Sequence, residues 1–166
     1  MFPFRIRPAL AGLVLLLAAA SARAGDPAPA AATRAVVPAA DFELASYQGR
    51  VVVLDFWASW CKPCRQSLPW LSDLQRRHGE KGLQVVAVSV DADEAAMRER
   101  LGDIDPGIVV VFDPEGVLAQ QYKLEVMPTS FLVDRAGKAR GSHRGFMAKE
   151  ADRREVEIVA LLEEGR

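Results

Sequence analysis

Two continuous apolar runs constrain this chain of 166 residues more than any other feature. Val51–Trp57 reads VVVLDFW, and Leu83–Val90 reads LQVVAVSV. A strand with one face in water alternates apolar and polar side chains, whereas these runs are apolar at nearly every position. Such strands are covered on both faces, as in the centre of a sheet that has helices on either side. The runs therefore predict two central strands of an α/β protein.

The remaining segments alternate between helical and extended patterns. Apolar spacing and turn residues predict a long helix from about Cys61 to His78 and a closing amphipathic helix at Lys149–Glu164. Thr129–Asp134 and Ala139–Gly145 flank a turn that contains glycine, which is typical of a hairpin. Shorter elements are expected between these segments: a helix at Asp93–Leu101, a strand at Ile108–Phe112 and a helix at Val117–Tyr122. This order predicts an α/β sandwich in which helices pack on a mixed sheet.

The first 24 residues have the pattern of a secretory signal peptide. Arg5 and Arg7 precede an apolar core, Ala9–Ala20, and Ala22-Arg23-Ala24 fits a signal-peptidase cleavage site. The alternative is a membrane anchor, but this core is shorter than the roughly 20 residues that span a bilayer. We therefore expect a signal peptide at 1–24, an Ala/Pro-rich linker at 25–36 and one domain at 37–166. The exported protein would be periplasmic, with no stable membrane anchor after cleavage.

Charge and length exclude some classes of function. Without residues 1–24 the chain has 18 basic and 22 acidic residues, and it contains no block of Lys or Arg. Nucleic acid is therefore not an expected partner. The remaining length of about 140 residues is enough for one domain with its own core. We expect this domain to be a monomer.

The two cysteines of the chain, Cys61 and Cys64, directly follow the first apolar run. At the start of a helix, unpaired backbone N–H groups and the helix dipole stabilise a thiolate. We therefore assign Cys61 as the attacking thiol of an exchange reaction. Cys64, one turn further in and more buried, is assigned as the resolving thiol. Pro63 lacks an amide hydrogen and suits an early helical position.

Other uses of the cysteine pair fit less well. A structural disulfide is common in the periplasm, but a two-residue spacer closes a very short loop and constrains the chain little. Zinc normally needs four ligands, and the chain has neither a second cysteine pair nor histidines at ligand spacing. Covalent haem attachment requires His directly after Cys64, where this chain has Arg65. No metal, and no cofactor beyond the redox-active disulfide, is expected.

A few further residues are candidates for roles beside the pair. Asp55 stands in an otherwise apolar strand, where a lone carboxylate is costly to bury. We interpret Asp55 as a proton acceptor for Cys64, with a pKa raised by burial; the alternative is a side chain that reaches solvent or a local partner. Trp60 either belongs to an apolar surface that contacts substrate or packs in the core. His78 and His143 have no visible partners and are expected at the surface.

Three segments together resemble a known family. Val53–Cys64, which reads VLDFWASWCKPC, resembles the active-site segment of thioredoxins. Phe42–Arg50 and the later Pro69 resemble the secreted TlpA/ResA-type branch of that superfamily, and Val126–Asp134 is similar to its cis-proline loop. The resemblance runs from about Val37 to the C-terminus. It implies a thioredoxin-like three-layer sandwich with a mixed central sheet flanked by helices.

The resemblance also implies roles for single residues. Pro128 would follow a cis peptide bond, and Met127 would offer its backbone to an extended substrate segment, a form of strand addition. Many relatives that act in cytochrome maturation have Glu three residues after the second cysteine, where this chain has Ser67. Those relatives often have Asn where this chain has Asp55. The proton-transfer role is therefore assigned to Asp55, and the resemblance supports no specific role in cytochrome maturation.

The function expected from these patterns is a periplasmic thiol–disulfide oxidoreductase, more specifically a reductase of protein disulfides. It would draw electrons from a membrane thiol-electron transporter, because the periplasm has no thiol buffer. One alternative is a thiol peroxidase, although Ala58 stands where peroxidases of this fold have Thr. The other alternative is a module that binds copper or a partner through its thiols without catalysis.

Overall fold

A computed structural model describes residues 35–102 and 104–164 of the chain. The expected signal peptide and nearly all of the expected linker lie outside the described residues. Within those two ranges, no helix is both long enough and apolar enough to cross a membrane. The described part contains six strands and four α-helices. The strands are β1 (Val36–Pro38), β2 (Val51–Trp57), β3 (Leu83–Ser89), β4 (Val109–Phe112), β5 (Thr129–Val133) and β6 (Ala139–Arg144), and the helices are α1 (Cys64–His78), α2 (Glu94–Leu101), α3 (Val117–Gln121) and α4 (Ala151–Glu163).

All six strands form one mixed sheet in the order β1-β4-β3-β2-β5-β6. The first four strands of this order run parallel, whereas β5 is antiparallel to β2 and β6 is antiparallel to β5. The two continuous apolar runs are β3 and β2 at the centre, and every residue of both strands is buried. The prediction of central strands in a mixed α/β sheet is therefore confirmed.

Helices cover both faces of the sheet, and each face has its own hydrophobic core. Because side chains alternate along a strand, β2 sends Val53 and Trp57 to one face and Leu54 and Phe56 to the other. The first core packs against α1, α2 and α4, through buried side chains that include Leu68, Leu71, Leu74, Met97, Ile158 and Leu162. The second core packs against α3 and the segment after β1, through Leu118, Phe42 and Tyr47 among others. The architecture is the expected three-layer sandwich.

Two helices begin later than the sequence predicts, one strand was missed, and several other element ends differ by one residue. Helix α1 begins at Cys64 and not at Cys61, because Cys61 ends a turn over residues 58–61, in which its N–H donates to the Ala58 carbonyl at 3.1 Å. Helix α4 begins at Ala151, after a short 3-10 turn. Strand β1 was not predicted at all. It has only three residues, and its partner is the distant strand β4, where Val36 pairs with Val110.

The prediction that His78 and His143 lie unpartnered at the surface is wrong. His78 is buried, and its Nε2 lies 2.8 Å from an oxygen of Glu155. The His143 Nε2 lies 2.8 Å from an oxygen of Glu157. Both glutamates belong to α4, which packs beside the end of α1 and beside β6. Such partners are remote in sequence, so no local pattern could indicate them.

Candidate active site

The cysteine pair lies at the carboxyl end of the central strand β2, at its junction with α1. Cys61 and Cys64 form a disulfide with their Cα atoms 5.3 Å apart. The Cys64 N–H also points at the Cys61 Sγ, at 3.3 Å. Cys61 is 5% exposed and Cys64 only 1%, so Cys64 is the more buried of the two, as expected. Cys61 precedes the helix, however, and faces its first turn from outside.

This position suits Cys61 for nucleophilic exchange once the disulfide is reduced. The Cys64 N–H and the positive end of the α1 dipole both favour negative charge on the Cys61 sulfur. The remaining exposure of Cys61 leaves a route by which the sulfur of another molecule can reach it. Cys64 is one turn further into the protein and close enough to close the ring again. The sulfur pair is itself the redox group, so the exchange needs no further cofactor.

Asp55 is fully buried in the middle of β2. Strand alternation places its side chain on the same face as Val53 and Trp57, which is the face whose core contains both cysteines. The Ser130 hydroxyl donates to Asp55 Oδ1 at 2.5 Å, whereas Asp55 Oδ2 has no hydrogen-bond partner among the described residues. The carboxyl group is thus only half satisfied in a water-excluded position.

Burial raises the pKa of Asp55 from its usual value near 3.8 to about 7, even though the Ser130 hydroxyl and the charge of Arg154 both act to lower it. Desolvation disfavours the charged carboxylate and is the dominant cause. A carboxyl group that titrates near neutral pH can both accept and release a proton under ordinary conditions. The expectation of a buried carboxyl with a raised pKa is confirmed.

The cis-proline loop reaches the same edge of the sheet as the cysteines. Because β5 runs antiparallel to β2, Thr129 at the start of β5 pairs with Phe56 near the end of β2. The Met127–Pro128 peptide bond, directly before β5, is cis as the resemblance implies. Met127 packs against the core cluster that contains both cysteines. The two sequence-predicted segments are therefore brought together.

Two hydrogen bonds hold this loop, and neither uses the backbone of Met127. The Thr129 hydroxyl donates to the Val126 carbonyl at 2.7 Å, and the Gly145 N–H donates to the Pro128 carbonyl, also at 2.7 Å. Val126 is 44% exposed. These bonds fix the loop on both sides of Met127, the residue that is expected to meet an extended substrate.

The three tryptophans near the pair have different environments. Trp57 is fully buried in the core, whereas Trp60 is 65% exposed directly before Cys61. Trp70 is half-buried and packs on Phe146, with ring centroids 5.3 Å apart. Among them, Trp60 is the one whose ring is available to another molecule.

Asp91 is a site residue that sequence reasoning missed. It is buried just beyond the end of β3, and its carboxylate accepts hydrogen bonds from the Ser59 N–H at 2.9 and 3.0 Å. The Ser59 hydroxyl at 2.6 Å and the Ser89 hydroxyl at 2.7 Å complete the set. Asp91 therefore anchors the loop that presents Trp60 and Cys61. The available signal was its place after the second apolar run, since parallel strands end at the same edge of a sheet.

Replacing Asp91 with alanine is expected to lower the free energy of unfolding by about 2–3 kcal/mol. The change leaves the half-buried Ser59 donors and the buried Ser89 hydroxyl without an acceptor. Urea unfolding of the oxidised protein measures this loss. The matched control is Asp93→Ala, which removes the exposed N-cap of α2 and should cost only about 1 kcal/mol. Equal losses in the two variants would contradict an anchoring role for Asp91.

Residues 35–102 and 104–164 contain no group of three or more His, Cys, Asp or Glu side chains that could hold a metal ion.

Known proteins share this arrangement of sequence and fold. The chain is 33% identical over 108 residues to the thiol-disulfide oxidoreductase ResA of Bacillus thuringiensis subsp. konkukian, a match that covers 65% of this chain and 62% of the relative. This chain therefore spans less than two thirds of that relative's length. A crystal structure from Chlorobium tepidum, described as a candidate thiol:disulfide interchange protein DsbE, is 44% identical with a TM-score of 0.68. That match covers 72% of this chain and 84% of the other.

A second solved structure is the exposed lipoprotein thioredoxin of Streptococcus pneumoniae. It is 31% identical, with a TM-score of 0.58, over 70% of this chain and 90% of the other. The fold is therefore thioredoxin-like. The model of the Redoxin family matches residues 23–159, which is most of the sequence. On this match and on the fold that carries its cysteine pair, the chain belongs to the Redoxin family.

Proposed function

We propose that the protein is an extracytoplasmic thiol–disulfide oxidoreductase that reduces disulfides of other proteins. The observation that carries the proposal is the Cys61–Cys64 pair at the start of α1, with the buried Asp55 on the same face of the sheet. The ResA relative is named for thiol–disulfide oxidoreduction, which supports the same chemistry here.

The reaction begins with the reduced protein. The Cys61 thiolate attacks one sulfur of a substrate disulfide, forms a mixed disulfide and releases the other substrate sulfur as a thiolate, which takes up a proton. Asp55, as carboxylate, accepts the proton of the Cys64 thiol. The Cys64 thiolate then attacks Cys61 Sγ, the Cys61–Cys64 disulfide forms, and the second substrate thiolate leaves. Two electrons pass from the cysteine pair to the substrate.

The substrate surface proposed here consists of Trp60, Met127 and Pro128. Trp60 offers an exposed ring beside the nucleophile, and the backbone of Met127 is not used by the bonds that hold its loop. Main-chain hydrogen bonds to an extended segment tolerate many side chains. This surface would accept disulfides in varied protein sequences.

The signal-peptide pattern at 1–24 supports a periplasmic location. A reductase in that compartment needs an external source of electrons, for which a membrane thiol-electron transporter is the proposed partner. The protein would act as a monomer, because exchange requires Cys61 to be open to its partners.

The experiment is a disulfide-reduction assay on insulin with the reduced protein, together with redox equilibration against glutathione. We expect insulin reduction, and a potential nearer to about −270 mV than to about −120 mV, the reducing and oxidising ends of the superfamily. Protein whose cysteines are alkylated is the control and should be inactive. A potential at the oxidising end would contradict the direction of the reaction. Absence of exchange together with turnover of hydrogen peroxide would favour the peroxidase alternative.

A further inference from the structure

Arg154 is a buried cation that has no role in the reaction steps proposed above. It is 3% exposed and lies in α4, a helix whose apolar side chains pack in the same core as the cysteine pair. Its Nη2 donates to Glu150 at 2.9 Å, and its guanidinium carbon lies 5.5 Å from the centre of the Phe146 ring. Burying a guanidinium is costly, and a single carboxylate at its outer side does not explain its position.

The inner side of Arg154 contacts the elements that build the active site. Its Nη1 donates to the Gly145 carbonyl at 3.0 Å, and the Gly145 N–H in turn donates to the Pro128 carbonyl at 2.7 Å. A single residue, Gly145, thus links Arg154 to the cis-proline loop through two hydrogen bonds.

Arg154 also shares a small cavity with Ser130, the hydrogen-bond donor to Asp55. The cavity has a volume of about 10 Å³, is lined mainly by apolar side chains, and has Ser130, His143 and Arg154 as its polar members. Arg154 Nε is buried without a hydrogen-bond partner in the described part of the chain, and the same is true of Asp55 Oδ2. Ser130 thus contacts both neighbourhoods, since it donates to Asp55 and lines this cavity together with Arg154.

The groups that face Asp55 come from several elements. The strand neighbours in register with it are Ala87 of β3 and Ser130 of β5, neither of which carries a charge. His143 of β6 pairs with Ser130 across the strands and is engaged by Glu157. Cys64 belongs to the core on the same face and can titrate once it is reduced. A guanidinium, by contrast, stays charged in proteins.

We propose that Arg154 is a positioning residue of the redox site, whose fixed charge keeps Asp55 available as a carboxylate to take the proton of Cys64. This role rests on the proton-transfer function proposed for Asp55. In a water-excluded region, charges interact more strongly than in water. The charge of Arg154 opposes the effect of burial and lowers the pKa of Asp55. Without it, Asp55 would hold its proton more tightly, and fewer molecules would be competent to activate Cys64.

The test measures the proton affinity of Asp55 directly. Its ¹³C-labelled carboxyl group is titrated by NMR in the oxidised protein, where the cysteines do not titrate. Arg154→Met is expected to raise the midpoint by about one pH unit, whereas Arg154→Lys, which keeps the charge, should leave the midpoint close to the wild-type value. At pH 7 the insulin-reduction rate of Arg154→Met should fall about five-fold, which corresponds to the smaller ionised fraction of Asp55. The matched control is Arg153→Met, a neighbouring arginine on α4 that is 63% exposed and should leave the midpoint unchanged.

Glu150→Gln provides a test in the opposite direction that keeps the buried arginine in place. Removing the carboxylate that faces Arg154 strengthens the net positive field, so the Asp55 midpoint should fall. An unchanged midpoint in folded Arg154→Met, or in Glu150→Gln if Arg154→Met does not fold, would overturn the proposal. If the midpoint shifts as expected but the wild-type protein reduces no disulfide, the proposed function fails while the electrostatic link between Arg154 and Asp55 stands.

Discussion

Replacing Cys61 with serine is expected to abolish disulfide reduction, and replacing Cys64 with serine is expected to turn the protein into a trap for its substrates. A serine hydroxyl at position 61 is not ionised at neutral pH, so the insulin-reduction rate should fall by at least about 10³-fold. The Cys64→Ser variant retains the attacking sulfur beside the first turn of α1 but lacks the buried sulfur that closes the ring. Its mixed disulfides should therefore persist.

The measurement is capture in cells that produce the Cys64→Ser variant, followed by electrophoresis without and with a reducing agent. Reducible adducts should form with Cys64→Ser and not with the double variant Cys61→Ser/Cys64→Ser. Adducts that form with Cys61→Ser and not with Cys64→Ser would reverse the assignment of the attacking and resolving thiols. The captured proteins would also identify the substrates.

Replacing Asp55 with asparagine is expected to stabilise the protein at alkaline pH. The pKa of Asp55 is near 3.8 in an unfolded chain and about 7 in the folded protein. Between these values the folded state binds the extra proton, so the stability of the wild-type protein falls as the pH rises from about 4 to about 7. A difference of about three pH units corresponds to an upper limit of about 4 kcal/mol. Asparagine has no charge to bury and can still accept the hydrogen bond from Ser130.

Urea unfolding of the oxidised protein at pH 4 and at pH 8 measures this effect. The two proteins should have similar stability at pH 4, and Asp55→Asn should be more stable by about 2–4 kcal/mol at pH 8. Asp73→Asn, which changes an exposed carboxylate on α1, serves as the control and should change stability by less than about 1 kcal/mol. An Asp55→Asn protein that is less stable than wild type at pH 8 would contradict the buried, half-satisfied state of this carboxyl group.

The central part of the fold could be predicted because its signals are local. Val51–Trp57 and Leu83–Val90 are apolar at nearly every position, and a strand buried on both faces requires that pattern. The hairpin of β5 and β6 was predictable from its turn residues for the same reason. Strand β1 has no such signal, since three residues become a strand only by pairing with β4 far along the chain.

The candidate site likewise contains residues that local sequence signals could predict and residues that they could not. Cys61 and Cys64 are adjacent in sequence, and Asp55 is conspicuous because a carboxylate interrupts an apolar strand. Arg154 was not predictable, because charged residues are usually solvated and nothing local distinguishes it, and the one signal for Asp91 was its place directly after the second apolar run. Their burial depends on partners from other elements, such as Ser59 for Asp91 and Gly145 for Arg154. The same limitation explains the wrong prediction for His78 and His143.

The antiparallel pairing of β5 with β2 gives the molecule two functionally distinct ends. Thr129 lies beside Phe56 at the end that carries the cysteines, whereas Val133 lies beside Val52 at the opposite end. The hairpin turn at residues 134–138 is therefore remote from the exchange surface, and Gly137 at its tip is exposed. A surface, a fluorophore or a fused domain attached at this turn would leave Trp60 and the exposed edge of Cys61 accessible. The turn at residues 134–138 is therefore a suitable attachment site for immobilised or single-molecule measurements of disulfide exchange.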